Sequence, residues 1–495
     1  MKLKRSSGVL LHPTSLPGKF GIGSLGKDAF DFVDFLVCSK QKLWQVLPMG
    51  PTSYGDSPYQ SFSSFAGNPL LIDLDELVKQ NLLSKSDLET KEVFDDGKVD
   101  YGRIITFKTA LYKKAYNNFK KLSSEIEKAK FEIFCEKHKK WLEEYSLFMA
   151  LKNHFCGKPW YEWEYDIKIR TFPALKEYRE KLSDEINYHR FIQFEFFRQW
   201  YKLKSYANIN NIKIIGDIPI FVALDSCDVW ASPEIFHLDE DRRPTKVAGV
   251  PPDYFSATGQ LWGNPLYNWD VLKAQNYKWW IERLNATNEL VDMIRIDHFR
   301  GFAAYWAIPY GNKDAIHGTW EKGPGEDLFI AIRKELGTLP IIAEDLGFVT
   351  PDVEKLRDDF DFPGMKIIQF GFDSSEGSPY IPHLFPVNCV AYTGTHDNDT
   401  IVGWYEKASK QDKEYVKEYL NSDCKDVAWD LLRLTWASTA VMVIVPLQDV
   451  LSLGSEARMN VPGIACGNWQ WRYKKGQLSA DIKQKLRKLT GIYKR

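Results

Sequence analysis

Eight short apolar segments constrain the fold of this chain more than any other feature of its sequence. Each is rich in β-branched residues or ends at a turn signal, as buried parallel strands are. They are residues 8–12, 43–47, 213–217, 293–297, 340–344, 365–371, 389–394 and 440–446. Amphipathic helical patterns separate most of them, for example at residues 29–38, 326–336 and 352–359. Eight strands that alternate with helices predict an α/β chain with the (β/α)₈ TIM barrel fold.

Two connections between these segments are too long to be simple crossovers. Residues 48–211 separate the second and third segments, and residues 218–292 separate the third and fourth. In the first connection, apolar residues from Phe131 to Phe148 follow a 3.6-residue spacing, and Ser183 with two acidic residues after it is a helix start signal. We therefore expect one barrel, residues 1–495, with a mainly helical inserted subdomain at 48–211 and a second insertion at 218–292.

The charge balance indicates an uncharged partner. The 65 Lys and Arg residues nearly cancel the 66 Asp and Glu residues, so no overall field attracts the chain to nucleic acid or to an anionic membrane. No segment approaches the roughly 18 apolar residues of a membrane span, and the first residues are too polar for a signal peptide. The seven scattered cysteines cannot all pair internally. These features predict a cytoplasmic protein with reduced thiols.

Acidic residues close or directly follow four of the predicted strands. They are Asp217, Asp297, Glu344 and Asp397. In a (β/α)₈ barrel the C-terminal ends of the strands meet at one rim, where active sites lie. One acidic residue there is as often a helix cap as a functional group, but four at one rim are hard to explain as caps. His298 and His396 flank two of them, and Arg295 lies on the same side of its strand as Asp297.

Such a set of carboxylates is what glycoside chemistry requires. A retaining enzyme uses one carboxylate as nucleophile and another as acid and then base, about 5 to 5.5 Å apart. Asp297 and Glu344 end consecutive strands and are the natural pair. We expect Arg295 to keep Asp297 ionised, and we expect burial and nearby negative charge to raise the pKa of Glu344. Asp397 is expected to hydrogen-bond sugar hydroxyls and favour a distorted ring.

Aromatic residues make up 14% of the chain, and most are expected in the core. Others fall in TSYGDSPYQSFSSFAGNP and GVPPDYFSATGQLWGNPLYNW, whose Gly, Pro and Asn content predicts neither helix nor strand. Flat rings on such loops suit the flat faces of sugars. In the second segment, the loop 249–264 combines three glycines with Tyr254, Phe255 and Trp262, and we predict a lid that excludes water. The alternative is an ordinary surface loop with buried anchors.

Several motifs carry a family resemblance. GDIPIF, RIDHFRGF, AEDLG and THDND, in this order, resemble the four signature segments of the α-amylase clan. The two aromatic loops and the late segment ARMNVPGIACGNWQWR resemble the amylomaltases, which are 4-α-glucanotransferases. Each motif alone is a moderate signal, but together they are highly specific. The similarity extends from about Ser7 to Arg472.

This resemblance implies a barrel with helical insertions and no C-terminal β-sandwich. It implies an enzyme that moves segments of α-1,4-glucan between maltooligosaccharides, as donor and acceptor, through a covalent glucosyl-enzyme intermediate. Asp297 is implied as nucleophile, Glu344 as acid/base and Asp397 as transition-state stabiliser. The residues implied in substrate binding are Tyr59, Asp217, Tyr254, Phe255, Trp262, Arg295, His298 and His396. A second glucan site near Tyr54 is a further implication.

Two other functions remain open from the sequence. A hydrolase of the α-amylase or debranching type would use the same carboxylates if water reached the intermediate first. A non-catalytic glucan-binding barrel would keep the fold without the chemistry, although the retained carboxylates and their Arg and His neighbours argue against it. The chain has no HExxH motif, no two-Cys-two-His spacing and no phosphate-binding glycine loop. We expect no metal and no cofactor.

Overall fold

The fold consists of twelve strands and eighteen α-helices in the part of the chain that the computed structural model describes, residues 3–252, 256–347, 349–372, 378–464 and 466–495. The strands are β1 Ser6–Leu10, β2 Leu43–Gln45, β3 Lys213–Pro219, β4 Lys246–Val250, β5 Gln260–Pro265, β6 Met293–Asp297, β7 Ala304–Pro309, β8 Thr319–Lys322, β9 Ile341–Ala343, β10 Gly364–Ile367, β11 Cys389–Tyr392 and β12 Met442–Pro446. The helices are α1 Lys27–Cys38, α2 Leu74–Lys79, α3 Tyr101–Leu122, α4 Glu125–Lys137, α5 Lys139–His154, α6 Tyr165–Lys168, α7 Phe172–Lys181, α8 Ser183–Ile209, α9 Cys227–Ala231, α10 Trp269–Ala274, α11 Lys278–Leu290, α12 Glu326–Leu336, α13 Pro351–Asp359, α14 Ile401–Lys407, α15 Lys410–Leu420, α16 Val427–Ala437, α17 Leu447–Val450 and α18 Ala480–Ile492.

Eight of the strands form a parallel barrel. Hydrogen bonds join them in the order β10-β11-β12-β1-β2-β3-β6-β9. Two hydrogen bonds between β9, β10 and the residues next to them close the ring. The N–H of Ala343 donates to the carbonyl of Pro363 at 3.0 Å, and the Asp345 carboxylate accepts from the N–H of Met365 at 2.7 Å. The predicted (β/α)₈ fold is confirmed, and the described residues after β12 contain no further strand.

The observed barrel strands differ from the predicted segments mainly at their ends. A strand is predicted over residues 365–371, but β10 ends at Ile367 and Ile368–Gly371 form a 3₁₀ turn. The segment is mostly apolar on both sides of Ile367, and hydrophobic periodicity cannot locate the end of a buried strand. Close strand packing also explains one glycine. A Cβ atom at Gly8 would lie 2.3 Å from the carbonyl oxygen of Leu43 in β2, so only glycine fits.

Seven helices, α2 to α8, lie between β2 and β3. The apolar spacing from Phe131 to Phe148 is shared by α4 and α5, which meet at His138. Helix α8 contacts α1, α11 and β3 and so connects this region to the barrel. Two of its buried side-chain amides anchor the loop between β2 and α2. Gln193 makes hydrogen bonds of 2.7 and 2.9 Å to the backbone of Gly67, and Gln199 makes hydrogen bonds of 2.7 and 3.3 Å to the backbone of Asp73. The chain around residue 59 is thereby held near the barrel rim.

Strands β4, β5, β7 and β8 form a separate antiparallel sheet in the order β5-β4-β7-β8. The prediction that GVPPDYFSATGQLWGNPLYNW is neither helix nor strand is therefore wrong for Gln260–Pro265, and also for its two ends, where Gly249 and Val250 belong to β4 and Trp269 begins α10. Strand β5 lies at the edge of the sheet, where a proline costs no ladder hydrogen bond. Gly263 adopts a φ of 77°, which glycine tolerates. Pairing with β4 thus overrides the weak local preference.

All seven cysteines are unpaired. Within the described ranges, no helix has the length and apolar character needed to span a bilayer.

Candidate active site

The C-terminal ends of the barrel strands open into a cleft of about 750 Å³, a volume typical of small-molecule sites. Eight of the predicted site residues line this cleft: Tyr59, Trp262, Arg295, Asp297, His298, Glu344, His396 and Asp397. Asp217 is fully buried next to it. Tyr254 and Phe255 lie outside the described residues, so the predicted lid is described only over residues 249–252 and 256–264.

Asp297 is the last residue of β6 and Glu344 directly follows β9, so the two residues lie at the ends of adjacent strands. Strands β6 and β9 pair with Ile296 opposite Ala343, so the residues that follow are neighbours at the rim. The Glu344 carboxylate accepts hydrogen bonds from the backbone N–H groups of His298 at 2.7 Å and Leu346 at 3.0 Å. His298 has a left-handed backbone conformation with a φ of 52°, which is uncommon for a residue with a side chain. The turn after β6 therefore holds Glu344 beside Asp297.

The environment gives these two carboxyl groups different pKa values. Burial, and then the negative charge of Asp297, raise the pKa of Glu344 to about 8, against the effect of Arg295 and the two N–H donors. Burial also raises the pKa of Asp297 to about 6, and the positive charge of Arg295 limits the rise. Glu344 therefore holds its proton more tightly than Asp297 does. Arg295 lowers the pKa of Asp297 as expected, but burial outweighs it.

A buried network below the cleft fixes Arg295. Its Nη1 lies 2.6 Å from Oδ2 of Asp217 and 2.9 Å from Oδ1 of Asp297. The side chain of Asp217 is 0% exposed, whereas that of Asp297 is 29% exposed. Asp217 also accepts a 2.7 Å hydrogen bond from the hydroxyl of Tyr59. Asp217 thus contacts the protein groups that surround Asp297, and the Asp297 carboxylate faces the cleft.

Aromatic rings form one wall of the cleft. The rings of Tyr59 and His396 are stacked, with centroids 5.0 Å apart and planes 18° apart. The ring of Trp469 lies 5.8 Å from that of Tyr59 and 5.7 Å from that of His396. Burial raises the pKa of Tyr59 well above its usual value, so its hydroxyl remains a donor to Asp217. This wall offers flat apolar surface beside the carboxylates.

Asp397 is held by residues that sequence reasoning missed. The Nδ2 of Asn460 donates to its Oδ1 at 2.6 Å, and a guanidinium N–H of Arg458 donates to its backbone carbonyl. The Nε2 of His396 lies 3.3 Å from its Oδ2. The side chain of Asp397 is 45% exposed in the cleft. Asn460, Arg458 and Trp469 belong to the late segment noted for its family resemblance, but no spacing rule linked that segment to Asp397.

Trp262 in β5 and His298 in the turn after β6 form another part of the cleft lining. The rings of Trp262 and His298 meet edge to face, with centroids 4.8 Å apart. Burial lowers the pKa of His298 to about 3, so its ring is neutral at pH 7. Trp320 and Arg300, also missed from the sequence, lie further along the cleft, with the guanidinium 4.1 Å from the indole centroid. This part of the lining is therefore also mainly aromatic.

The polar side chains that line the cleft are mainly carboxylates and hydrogen-bond donors. Across the described ranges, no cluster of three or more His, Cys, Asp or Glu residues could hold a metal ion.

Comparison with known proteins identifies the family. The sequence profile of glycoside hydrolase family 77, described as 4-alpha-glucanotransferase, matches residues 11–479. The chain belongs to the 4-alpha-glucanotransferase family. It is 50% identical over 495 residues to the 4-alpha-glucanotransferase of Thermus thermophilus, with 98% of each chain covered. It is 49% identical over 496 residues to that of Synechocystis sp., with 99% of this chain and 98% of the relative covered.

A solved structure shares the whole fold. The amylomaltase from Streptococcus agalactiae in complex with acarbose matches with a TM-score of 0.97 and 44% identity, over 99% of this chain and 100% of that chain. The resemblance to amylomaltases predicted from the motifs is confirmed. Membership of the 4-alpha-glucanotransferase family does not favour the hydrolase alternative. The match includes the insertions and the late segment as well as the barrel.

Proposed function

We propose that this 4-alpha-glucanotransferase moves α-1,4-glucan segments by double displacement, with Asp297 as nucleophile and Glu344 as acid and then base. The observation that carries the proposal is the pair itself. Two carboxyl groups from adjacent strands share one cleft, and their pKa values of about 6 and about 8 give one charged and one protonated group at pH 7. A retaining mechanism requires this division of roles.

In the first step, the Asp297 carboxylate attacks the anomeric carbon of the donor. Glu344 gives its proton to the glycosidic oxygen, the C1–O bond breaks, and the shortened glucan leaves. The product is an ester between Asp297 and the transferred segment. Asp397, held by Asn460, hydrogen-bonds the sugar hydroxyls and stabilises the distorted ring of the transition state.

In the second step, a glucan or glucose acceptor replaces the leaving group. The ionised Glu344 takes the proton from the acceptor 4-hydroxyl, whose oxygen attacks C1, and the ester bond to Asp297 breaks. Transfer rather than hydrolysis requires the acceptor to be held in place while water is excluded. Trp262 and His298 supply an aromatic wall beside Glu344 for that acceptor, and we propose that Tyr254 and Phe255 extend it.

The remaining predicted residues have positioning and binding roles in this proposal. Asp217 orients Arg295 and Tyr59 through contacts of 2.6 and 2.7 Å. Arg295 in turn fixes the Asp297 carboxylate at 2.9 Å. Tyr59 and His396 form the stacked surface on which the cleaved glucose ring lies. No step requires a metal or a cofactor. The cytoplasmic location remains part of this proposal, supported by the unpaired cysteines.

Incubation with maltotriose tests the proposed activity directly. Transfer produces glucose together with a ladder of longer maltooligosaccharides, whereas hydrolysis produces shorter sugars alone. Thin-layer or anion-exchange chromatography of a time course distinguishes the two. We expect the ladder to appear from the first time points. Glucose and maltose without longer products would contradict the transfer proposal and restore the hydrolase alternative.

The pH dependence of kcat/KM is expected to be a bell with its maximum between about pH 6 and pH 8. Activity falls below pH 6 because Asp297, with a pKa of about 6, becomes protonated and loses its nucleophilic charge. It falls above pH 8 because Glu344, with a pKa of about 8, loses the proton that the leaving group needs. Initial rates on maltotriose across pH 4.5 to 9.5 measure both limbs. A rate that continued to rise above pH 9 would exclude Glu344 as the acid.

A further inference from the structure

A second cleft, of about 680 Å³, lies between the first insertion and helices α9 and α11. The junction of α4 and α5 contributes Trp141, α11 contributes Trp279 and Asn285, and the loop before α2 contributes Phe65. The second cleft shares no described lining residue with the active-site cleft. It is similar in volume to that cleft, and the proposed mechanism does not use it.

Partly exposed aromatic rings lie in the wall of this second cleft. Phe65, Trp141 and Trp279 are each intermediate in exposure. Phe65 and Trp279 meet edge to face with centroids 6.2 Å apart, and Trp141 is tilted against Phe197 at 5.6 Å. Neighbouring rings therefore hold each indole in place and leave part of its surface open. Rigid aromatic surface with a polar rim is typical of ligand sites in proteins.

The charges in the second cleft favour a neutral ligand. Its four lysine and arginine side chains each contact a carboxylate that also lines the cleft. These pairs are Lys137–Glu289 at 2.9 Å, Lys140–Glu282 at 2.8 Å, Lys139–Glu136 at 3.6 Å and Arg170–Glu144 at 2.6 Å. A phosphate or an acidic peptide would find no unmatched cation there. Paired carboxylates and the exposed amide of Asn285 can instead exchange hydrogen bonds with hydroxyl groups.

We propose that the second cleft binds a distant part of the same α-1,4-glucan that reacts in the active site. This inference rests on the proposed function, because it assigns the cleft to the enzyme's own substrate. Phe65 in the second cleft and Tyr59 in the active site are six residues apart, which limits their Cα separation to about 22 Å. A long glucan can reach both sites. Once one part of it is bound in the second cleft, the rest of the same glucan is held at a high effective concentration near the active site. A trisaccharide occupies one site at a time.

The test compares a long and a short donor. Amylose of several tens of glucose units and maltotriose are each assayed for KM and kcat with the wild-type enzyme, Trp141→Ala and Asn285→Arg. The ratio of KM for amylose to KM for maltotriose is expected to rise roughly tenfold in both variants, through loss of the second contact. Tyr165→Ala, which removes an aromatic ring that is 60% exposed on α6 and does not line the cleft, is the matched control and should leave the ratio unchanged.

Each outcome separates this proposal from the proposed function. If the wild-type enzyme makes no ladder from maltotriose, the proposed function fails first. If transfer is normal but the ratio stays constant in Asn285→Arg, only the second site is overturned. Asn285 is exposed on α11, so this variant remains informative if Trp141→Ala does not fold. The proposal would also be overturned if the cleft bound a second copy of the chain. Analytical ultracentrifugation tests this: the wild-type enzyme would then be a dimer, and Asn285→Arg would convert it to monomers.

Discussion

Asp297→Asn is expected to lower kcat/KM for maltotriose by roughly 10⁴- to 10⁶-fold, because an amide cannot form the glycosyl ester on which both transfer and hydrolysis depend. The substitution keeps the size of the side chain and its place beside Arg295. It removes a carboxyl group whose pKa is raised to about 6 in the folded protein. Initial rates of glucose release and of ladder formation from maltotriose measure the loss.

Thermal unfolding distinguishes this chemical defect from a structural one. A carboxyl group whose pKa is higher in the folded state makes folding less favourable as pH rises through the interval between the two pKa values. Removing the Asp297 charge should therefore leave Tm at pH 7 unchanged or higher. Asp241→Asn, at an exposed position, is the matched control and should retain full activity. Wild-type rates in Asp297→Asn would remove Asp297 from the mechanism.

Glu344→Gln is expected to lower transfer from maltotriose by roughly 10³-fold or more, because the variant has neither the acid for the first step nor the base for the second. The size of the defect should depend on the leaving group. An α-maltosyl fluoride donor releases fluoride without a proton, so the first step should recover and the ester on Asp297 should accumulate. Mass spectrometry of the intact protein measures that ester.

A small nucleophile completes the test of Glu344. Azide needs no general base, so its addition should restore turnover of the fluoride donor and yield the α-glycosyl azide. Asp297→Asn should respond neither to the fluoride nor to azide, and this contrast separates the two roles. Glu240→Gln, exposed at the surface, should behave as wild type with both donors. An equal defect with both donors in Glu344→Gln would contradict its role as the acid.

The positions of the catalytic candidates could be predicted because they depend on short-range rules. Apolar segments of the right length indicate the barrel strands, and parallel strands deliver their end residues to one rim. The sequence therefore predicts that Asp297 and Glu344 are neighbours at the rim. The pairing of Ile296 with Ala343, the residues just before them, agrees with this. The turn and strand bounds were less predictable. Ile368–Gly371 continue the mostly apolar sequence of β10 but form a 3₁₀ turn, and Gln260–Pro265 contain Gly and Pro but pair with β4. Local preference decided neither conformation.

Asn460 and Trp469 show what the sequence could not reveal. Asn460 follows Asp397 by 63 residues and reaches it through one 2.6 Å hydrogen bond. Trp469 joins the wall of Tyr59 and His396 only because the late segment folds back over the rim. No periodicity or spacing relates such distant positions. Their signal in the sequence was the family resemblance of the whole segment, which does not say what each residue contacts.

The order of apolar segments and strand-end carboxylates was enough to predict the barrel and the candidate pair, and the resemblance of the motifs was enough to predict the family, because each depends on short stretches of the chain. The sequence also predicted a raised pKa for Glu344, but only the tertiary structure decided that burial raises the pKa of Asp297 as well. Burial and the charges of Arg295 and Asp217 act on Asp297 together, and a pKa depends on solvent exclusion and on distances to groups from several strands. The tertiary structure also decided that two aromatic clefts flank the segment 59–65, since their walls come from loops, strands and helices that are far apart in the sequence.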